Sequence, residues 1–235
     1  MRLYNNDCLI ALPDIPDNSV DMVFADLPYG TTQNKWDTII PFEPLWEQLL
    51  RVGKHNTAYI FTATQPFTSM LVMSNLSMFK YEIIWQKTIG SGQLNIKHQP
   101  LRKHESILVF YANKPIYNEQ KTEGKPYKIN RRANTTNNGY GTQTDSNKDN
   151  NGYRHATSVI TISNPRIEDG HPTQKPVELL EYLIKTYSNP GNVVLDPTMG
   201  SGSTGIAALS LGRDFIGIEK DAYWFNIAQD KIIAR

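Results

Sequence analysis

Asp26-Leu27-Pro28-Tyr29 closes the apolar run Val20 to Ala25 and leads into Gly30. A hydrophobic run that stops at such a turn reads as a buried parallel strand, and in open α/β sheets ligands meet the carboxyl ends of strands. An acid and an aromatic ring are thereby set together at a cleft. Those residue types suit the alkylation of an exocyclic amine on a nucleobase, a poor nucleophile whose lone pair is delocalised into the ring. Acceptors that take its N–H groups turn the lone pair toward an electrophile. The Asp26 carboxylate is one such acceptor, and the backbone carbonyl of Leu27 or Pro28 is the other. Pro28 stiffens the loop and biases Leu27 to an extended conformation, and Tyr29 offers a ring face to a flat base. The same residues also make an ordinary turn, so the motif gains force only from a second one.

That second motif lies near the end of the chain. Gly200 and Gly202 fall between a strand and a helix, where a missing side chain lets backbone N–H groups approach a ligand. Roughly 20 residues on, Glu219 ends the next strand, the place from which a carboxylate takes both hydroxyls of a ribose. A dinucleotide would need a third glycine, and Asp196 at the strand tip would repel a pyrophosphate. Asp196 suits a positively charged amino-acid group instead. S-adenosylmethionine carries such a group together with a sulfonium.

The elements that must position these residues follow from periodicity. Residues 1–8 read as a short strand, and Phe42, Leu45, Trp46, Leu49 and Leu50 mark one face of a helix over 41–52. Thr57 to Thr64 is a strand, and Pro66 opens a helix to Leu76. Lys80 to Gln86 and Ser106 to Ala112 are strands around a polar, glycine-punctuated loop, 87–103, that faces substrate. Pro176 opens a helix with Val177, Leu180, Leu183, Ile184 and Tyr187 on one face. Strand 192–195, helix 204–211, strand 214–218 and a closing helix 222–234 complete the chain.

Composition narrows the function further. The 235 residues suffice for one core carrying an insertion, and the net charge of +1 leaves any nucleic-acid surface to local clustering. Residues 115–165 hold seven cations and four anions, with Tyr127, Tyr140 and Tyr153 interleaved, as suits a basic, partly flexible segment that follows a phosphate backbone. A solvated surface insertion is the competing reading. The single Cys8 excludes a disulfide framework and a multi-cysteine zinc site. No run resembles a signal peptide or a membrane span, so a cytoplasmic protein is expected.

Asp26-Leu27-Pro28-Tyr29, His171-Pro172-Thr173-Gln174-Lys175-Pro176 and Leu195-Asp196-Pro197 through Gly200-Ser201-Gly202-Ser203-Thr204, in this order, resemble the β-class amino DNA methyltransferases. The resemblance covers about residues 1–112 and 167–235. It implies an α/β, Rossmann-like methyltransferase fold, a mostly parallel sheet with helices on both faces, in circularly permuted motif order. It divides the chain into a catalytic half, 1–114, a polar target-recognition insertion, 115–166, and a cofactor half, 167–235.

By the same resemblance Asp26 and the Leu27 backbone hold the target amine, with Pro28 setting the loop and Tyr29 stacking on a flipped base. Asp196, Gly200, Gly202, Ser203 and Thr204 hold the methionine part of S-adenosylmethionine, helped by Thr173 and Lys175, and Glu219 takes the ribose. Asp7 contacts the adenine with Cys8 beside it, although a packed core thiol is the other reading of Cys8. Family members usually have Pro where Leu27 stands; a backbone contact tolerates the change. The initial Asp favours adenine over cytosine. The expectation is therefore N6-adenine methylation of double-stranded DNA, in a restriction-modification setting, without a metal, by a monomer or a homodimer. N4-cytosine methylation and a non-catalytic DNA-binding module are the alternatives.

Overall fold

The computed structural model describes residues 1–31, 37–131, 146–164 and 174–234. His171, Pro172, Thr173 and Tyr140 therefore lie outside the described residues. The chain opens with β1 (Arg2–Asn5), α1 (Cys8–Ala11), β2 (Val20–Ala25) and α2 (Phe42–Val52). Next come β3 (Gly53–Ala63), α3 (Phe67–Ser74), β4 (Phe79–Ser91) and β5 (Arg102–Phe110). Four short strands follow, β6 (Thr122–Glu123), β7 (Tyr127–Arg131), β8 (Ser146–Asn150) and β9 (Tyr153–Arg154). The last part holds β10 (Val159–Ile162), α4 (Val177–Tyr187), β11 (Val193–Asp196), α5 (Ser203–Ser210), β12 (Asp214–Glu219) and α6 (Ala222–Ile233).

Period-two burial decides the layering. In β2 the side chains of Val23 and Ala25 join one apolar cluster, while Met22 and Phe24 join the other. The first cluster packs α1, α2 and α3 on the sheet through residues such as Ala11, Leu45, Leu49 and Leu71. The second packs α4, α5 and α6 through Leu180, Leu183, Ala208 and Ile232. A strand buried on both faces has no room for polar alternation, which is why Val20 to Ala25 reads as a continuous apolar run.

The eight strands run in the order β1-β12-β11-β2-β3-β5-β4-β10. Every neighbouring pair is parallel except those that β5 makes with β3 and β4. The neighbours β11 and β2 are a switch point: β11 leads through α5 to β12 on one side, and β2 through α2 to β3 on the other. Connections that part in opposite directions leave a crevice beyond the carboxyl ends of those two strands. Asp26 and Asp196 stand at its two lips.

The 87–103 segment departs from expectation. Its ends continue the antiparallel ladder, β4 running to Ser91 and β5 starting at Arg102, with Ser91 paired to Arg102. The loop proper, 92–101, is seven residues shorter than the polar pattern suggests, because an exposed hairpin arm needs no apolar face.

Contacts divide the chain into two compact units, one of Met1–Asn118 with Ser158–Arg235 and one of Glu119–Thr157. The smaller unit consists of two antiparallel pairs, β6 with β9 and β7 with β8. Within it the Arg154 guanidinium lies over the Tyr127 ring, 4.6 Å from its centroid, and donates to the Lys125 carbonyl at 2.5 Å. His155 Nδ1 meets Glu119 Oε1 at 2.6 Å.

Candidate active site

The Asp26 carboxylate leaves the tip of β2 and is held from three directions. Its Oδ1 accepts from the Tyr29 hydroxyl at 2.8 Å and from Thr62 Oγ1, on β3, at 2.5 Å. Its Oδ2 accepts from Lys175 Nζ at 2.7 Å. A carboxylate offers about four lone-pair sites, so three donors fix its direction and leave about one for a further N–H. The backbone is held as well, because Thr198 Oγ1 donates to the Asp26 carbonyl at 3.2 Å.

Lys175 is 8% exposed and belongs to a chain of alternating charges. Its Nζ lies 3.3 Å from Glu105 Oε2, and the other Glu105 oxygen takes Lys87 Nζ. Burial opposes the charge on Lys175, yet Asp26, Tyr29 and Glu105 outweigh it and hold the ammonium well above its ordinary range. Burial would likewise raise Glu105, but Lys175 and Lys87 keep it below the usual carboxylate value. Two cations and two carboxylates thus close into a neutral cluster at the crevice. Removing one partner of such a buried set costs more than the intact set contributes, since it leaves an uncompensated charge.

Tyr29 is tied at both ends. Its hydroxyl is on Asp26, and its ring stacks on Phe67 with centroids 5.0 Å apart and planes 29° apart. Burial, followed by the Asp26 charge, pushes its hydroxyl well above the ordinary value, so it donates and does not ionise. The loop beyond it is clamped by Asp37, which accepts from the Gly30 and Thr31 N–H groups at 2.8 and 2.9 Å. A cavity of about 140 Å³ opens there, lined among others by Tyr29, Lys87, Ser91, Arg102, His104 and Glu105. The Leu27 side chain is 3% exposed and packs in the core, which gives the position an apolar task that leucine meets.

On the other lip, Asp196 accepts from the Thr198 N–H at 3.0 Å and from Thr204 Oγ1 at 2.6 Å. Burial raises its carboxyl to about 7. Glu219 accepts from the N–H groups of Gly200 and Asp221 at 2.9 and 2.8 Å, and burial raises it too. Each Glu219 oxygen retains a lone pair for a hydroxyl. Gly200 and Gly202 both adopt positive φ, +52° and +84°. A Cβ at Gly202 would stand 2.9 Å from the Ala228 Cβ, so this glycine answers to the packing of α6 as much as to a ligand. Ser203 Oγ is buried without a hydrogen-bond partner.

Asp7 caps α1 through the Leu9 N–H at 3.0 Å and meets Lys220 Nζ at 3.0 Å. Cys8 is 5% exposed in the core, and burial with the Asp7 charge pushes its thiol up to about 12. The structure thus brings Asp26, Tyr29 and Lys175 together, and separately Asp196, Gly200, Thr204 and Glu219. Lys175, expected with the cofactor group, pairs with Asp26. Thr62, Asp37 and Glu105 carry no signal that sequence reasoning could use, because each is an ordinary polar residue outside a motif, while Thr198 stands inside the 195–204 motif without a role that the motif assigns. Among the described residues no group of three or more His, Cys, Asp or Glu is placed to hold a metal ion, and no helix is long and apolar enough to cross a membrane.

The model of a DNA methylase family, N6_N4_Mtase, matches residues 20–230. The chain is 32% identical to the DNA adenine methyltransferase YhdJ of Escherichia coli (strain K12), over 96% of this chain and 80% of that one. The crystal structure of the M1.HpyAVI–SAM complex superposes with a TM-score of 0.69 at 23% identity, covering 98% of each chain. The PvuII DNA methyltransferase, cytosine-N4-specific, superposes with a TM-score of 0.67 at 13% identity, covering 99% of this chain and 89% of that one.

Proposed function

The chain belongs to this family of DNA methylases, and from that premise we propose that it transfers a methyl group from S-adenosylmethionine to the N6 amine of adenine in double-stranded DNA. The observation that carries the reading is the Asp26 carboxylate, fixed by three donors with an acceptor site to spare and bonded to Tyr29, which lines the cavity. Adenine is favoured by the acid at the head of the motif and by the likeness to YhdJ, a DNA adenine methyltransferase. The shared fold does not discriminate, since the cytosine-N4-specific enzyme has it too.

The cofactor site fits its ligand on the chemistry of its donors. Asp196 is a buried carboxylate whose ionisation is suppressed until a cation arrives, and the amino-acid ammonium of S-adenosylmethionine is such a cation. Gly200, Gly202, Ser203 and Thr204 form the loop and helix start beside it, Glu219 is assigned to the ribose hydroxyls, and Asp7 with Cys8 borders the adenine end. When bound, S-adenosylmethionine supplies a methyl group on a sulfonium.

The chain's own residues then do three things. The pocket receives a base turned out of the stack, at a cost of a few kcal/mol that stacking and hydrogen bonding offset. Asp26, with a backbone carbonyl of Leu27 or Pro28, takes the amine N–H groups and stabilises the positive charge that grows on nitrogen. Lys175 and Thr62 prevent the carboxylate from swinging, which lowers the entropic part of the barrier. The proton leaves to solvent afterwards. The unit Glu119–Thr157 is assigned to target recognition, supported by its cations Lys121, Lys125 and Lys128 on short, exposed strands and turns.

The test is incubation with unmethylated genomic DNA and labelled S-adenosylmethionine, followed by mass spectrometry of the nucleosides. N6-methyladenine is expected from the native protein and none from Asp26→Ala, with cofactor binding retained in both. N4-methylcytosine would overturn the base assignment, and turnover by Asp26→Ala would overturn the role of the acid.

A further inference from the structure

The hairpin between β4 and β5 carries a surface that the methyl-transfer site does not use. Its tip, a 3-10 turn at Gln93–Asn95, raises Leu94 to 99% exposure, and Ile89, Ile96 and Leu101 around it are 64%, 62% and 45% exposed. Apolar side chains are seldom left so open on a hairpin end without a partner. Gly90 lets the two arms close, since a Cβ there would stand 3.0 Å from the Leu101 Cβ.

The charge around this apolar tip has one sign. From Lys87 to His104 the chain contains Lys87, Lys97, Arg102 and Lys103 and no acid. Lys97, Arg102 and Lys103 are exposed and take part in no ion pair among the described residues. A second copy of the chain or an acidic protein would meet the same cations, but neither accounts for where the arms lead. Ser91, Arg102 and His104, at the base of the hairpin, line the cavity that holds Tyr29 and Glu105. The partner that offers dense negative charge, an apolar interior reached by a narrow side chain, and a group that must enter this cavity is duplex DNA.

We propose that the hairpin tip is a wedge: Leu94 enters the base stack beside the target and occupies the space that the extruded base leaves, while Lys97, Arg102 and Lys103 grip the flanking phosphates. This rests on the base-flipping activity proposed above. Apolar side chains driven between base steps partly offset the cost of unstacking, so the wedge acts on extrusion and not on the methyl-transfer step. Its loss is felt on a paired target and much less where pairing is already absent.

The experiment uses the full chain, Leu94→Ala and Leu94→Ser, substitutions at a position exposed enough that folding is not at issue. A duplex carrying the site mapped on genomic DNA is prepared in three forms: fully paired, with 2-aminopurine at the target, and with an abasic position opposite the target adenine. The variants are expected to lose the 2-aminopurine fluorescence gain on binding and about tenfold or more in single-turnover methylation of the paired duplex. On the duplex with the abasic position they recover to within about twofold of the native protein, with unchanged cofactor affinity. Native-like flipping and methylation of the paired duplex by both variants would overturn the wedge alone, as would equal losses on the paired and abasic duplexes. A drop in sedimentation mass caused by Leu94→Ser would assign the tip to a dimer contact and also overturn it. Failure of the native protein to methylate any DNA would overturn the activity itself.

Discussion

Asp26 depends on a residue 149 positions away, Lys175, whose ammonium is its only partner on Oδ2 among the described residues. Lys175→Met keeps much of the stem and deletes the charge, leaving Asp26 and Glu105 facing each other in a buried place. Turnover is expected to fall about a hundredfold through misplacement of the carboxylate, and folding stability by roughly 3–5 kcal/mol. Calorimetric affinity for S-adenosylmethionine should change little, and Lys175→Arg should restore part of kcat; a selective loss of cofactor affinity would return Lys175 to the cofactor group. Asp196 makes the opposite kind of prediction. Its carboxyl is raised from 3.8 to about 7, so the folded chain binds that proton more tightly than the unfolded chain does. The linked stability is therefore present below about 3.8 and is lost as pH rises through about 7. Thermal scans of the cofactor-free protein across that window should show the decline, flattened in Asp196→Asn, while affinity for the cationic cofactor rises over the same range.

Helix α5 and helix α6 meet at a glycine. Gly202 precedes α5 at φ +84°, and its Cα hydrogen points at Ala228 of α6. Gly202→Ala combines an unfavourable backbone region with a 2.9 Å approach of two methyl carbons, and a loss of about 1–3 kcal/mol is expected. A lowered Tm with S-adenosylmethionine affinity reduced only in proportion would show the packing role; an unchanged Tm with lost affinity would show a purely ligand-facing glycine. At this scale the periodic elements were legible: α2, α4 and β2 lie within a residue or two of their apolar patterns. The arms of the β4–β5 hairpin were not, because a solvated ladder beyond the sheet shows neither alternation nor a run. Nor could Gly205 and Gly217 be read as tight contacts with Phe215, since both glycines sit inside regular elements where only the third dimension crowds them.

The molecule as a whole is a permuted sheet in which the two halves of the site come from opposite ends of the chain. That much was written in the order of the motifs: strand-then-acid first, strand-glycine-helix last, each legible because a buried parallel strand and a glycine turn leave local patterns. The joints between them were not legible. Thr198 reaches the Asp26 carbonyl across 172 positions, and Val193 donates to Asp21 across the same span. No local pattern records a contact of that range. The pairing of β2 with β11 also fixes when the site can exist. During synthesis Asp26 leaves the ribosome early, but one edge of β2 has no strand to pair its N–H and C=O groups with until β11 has been made. In a nascent chain the Asp26 carboxylate therefore has only its Oδ1 partners, Tyr29 and Thr62, on hand until Lys175 has been made for Oδ2.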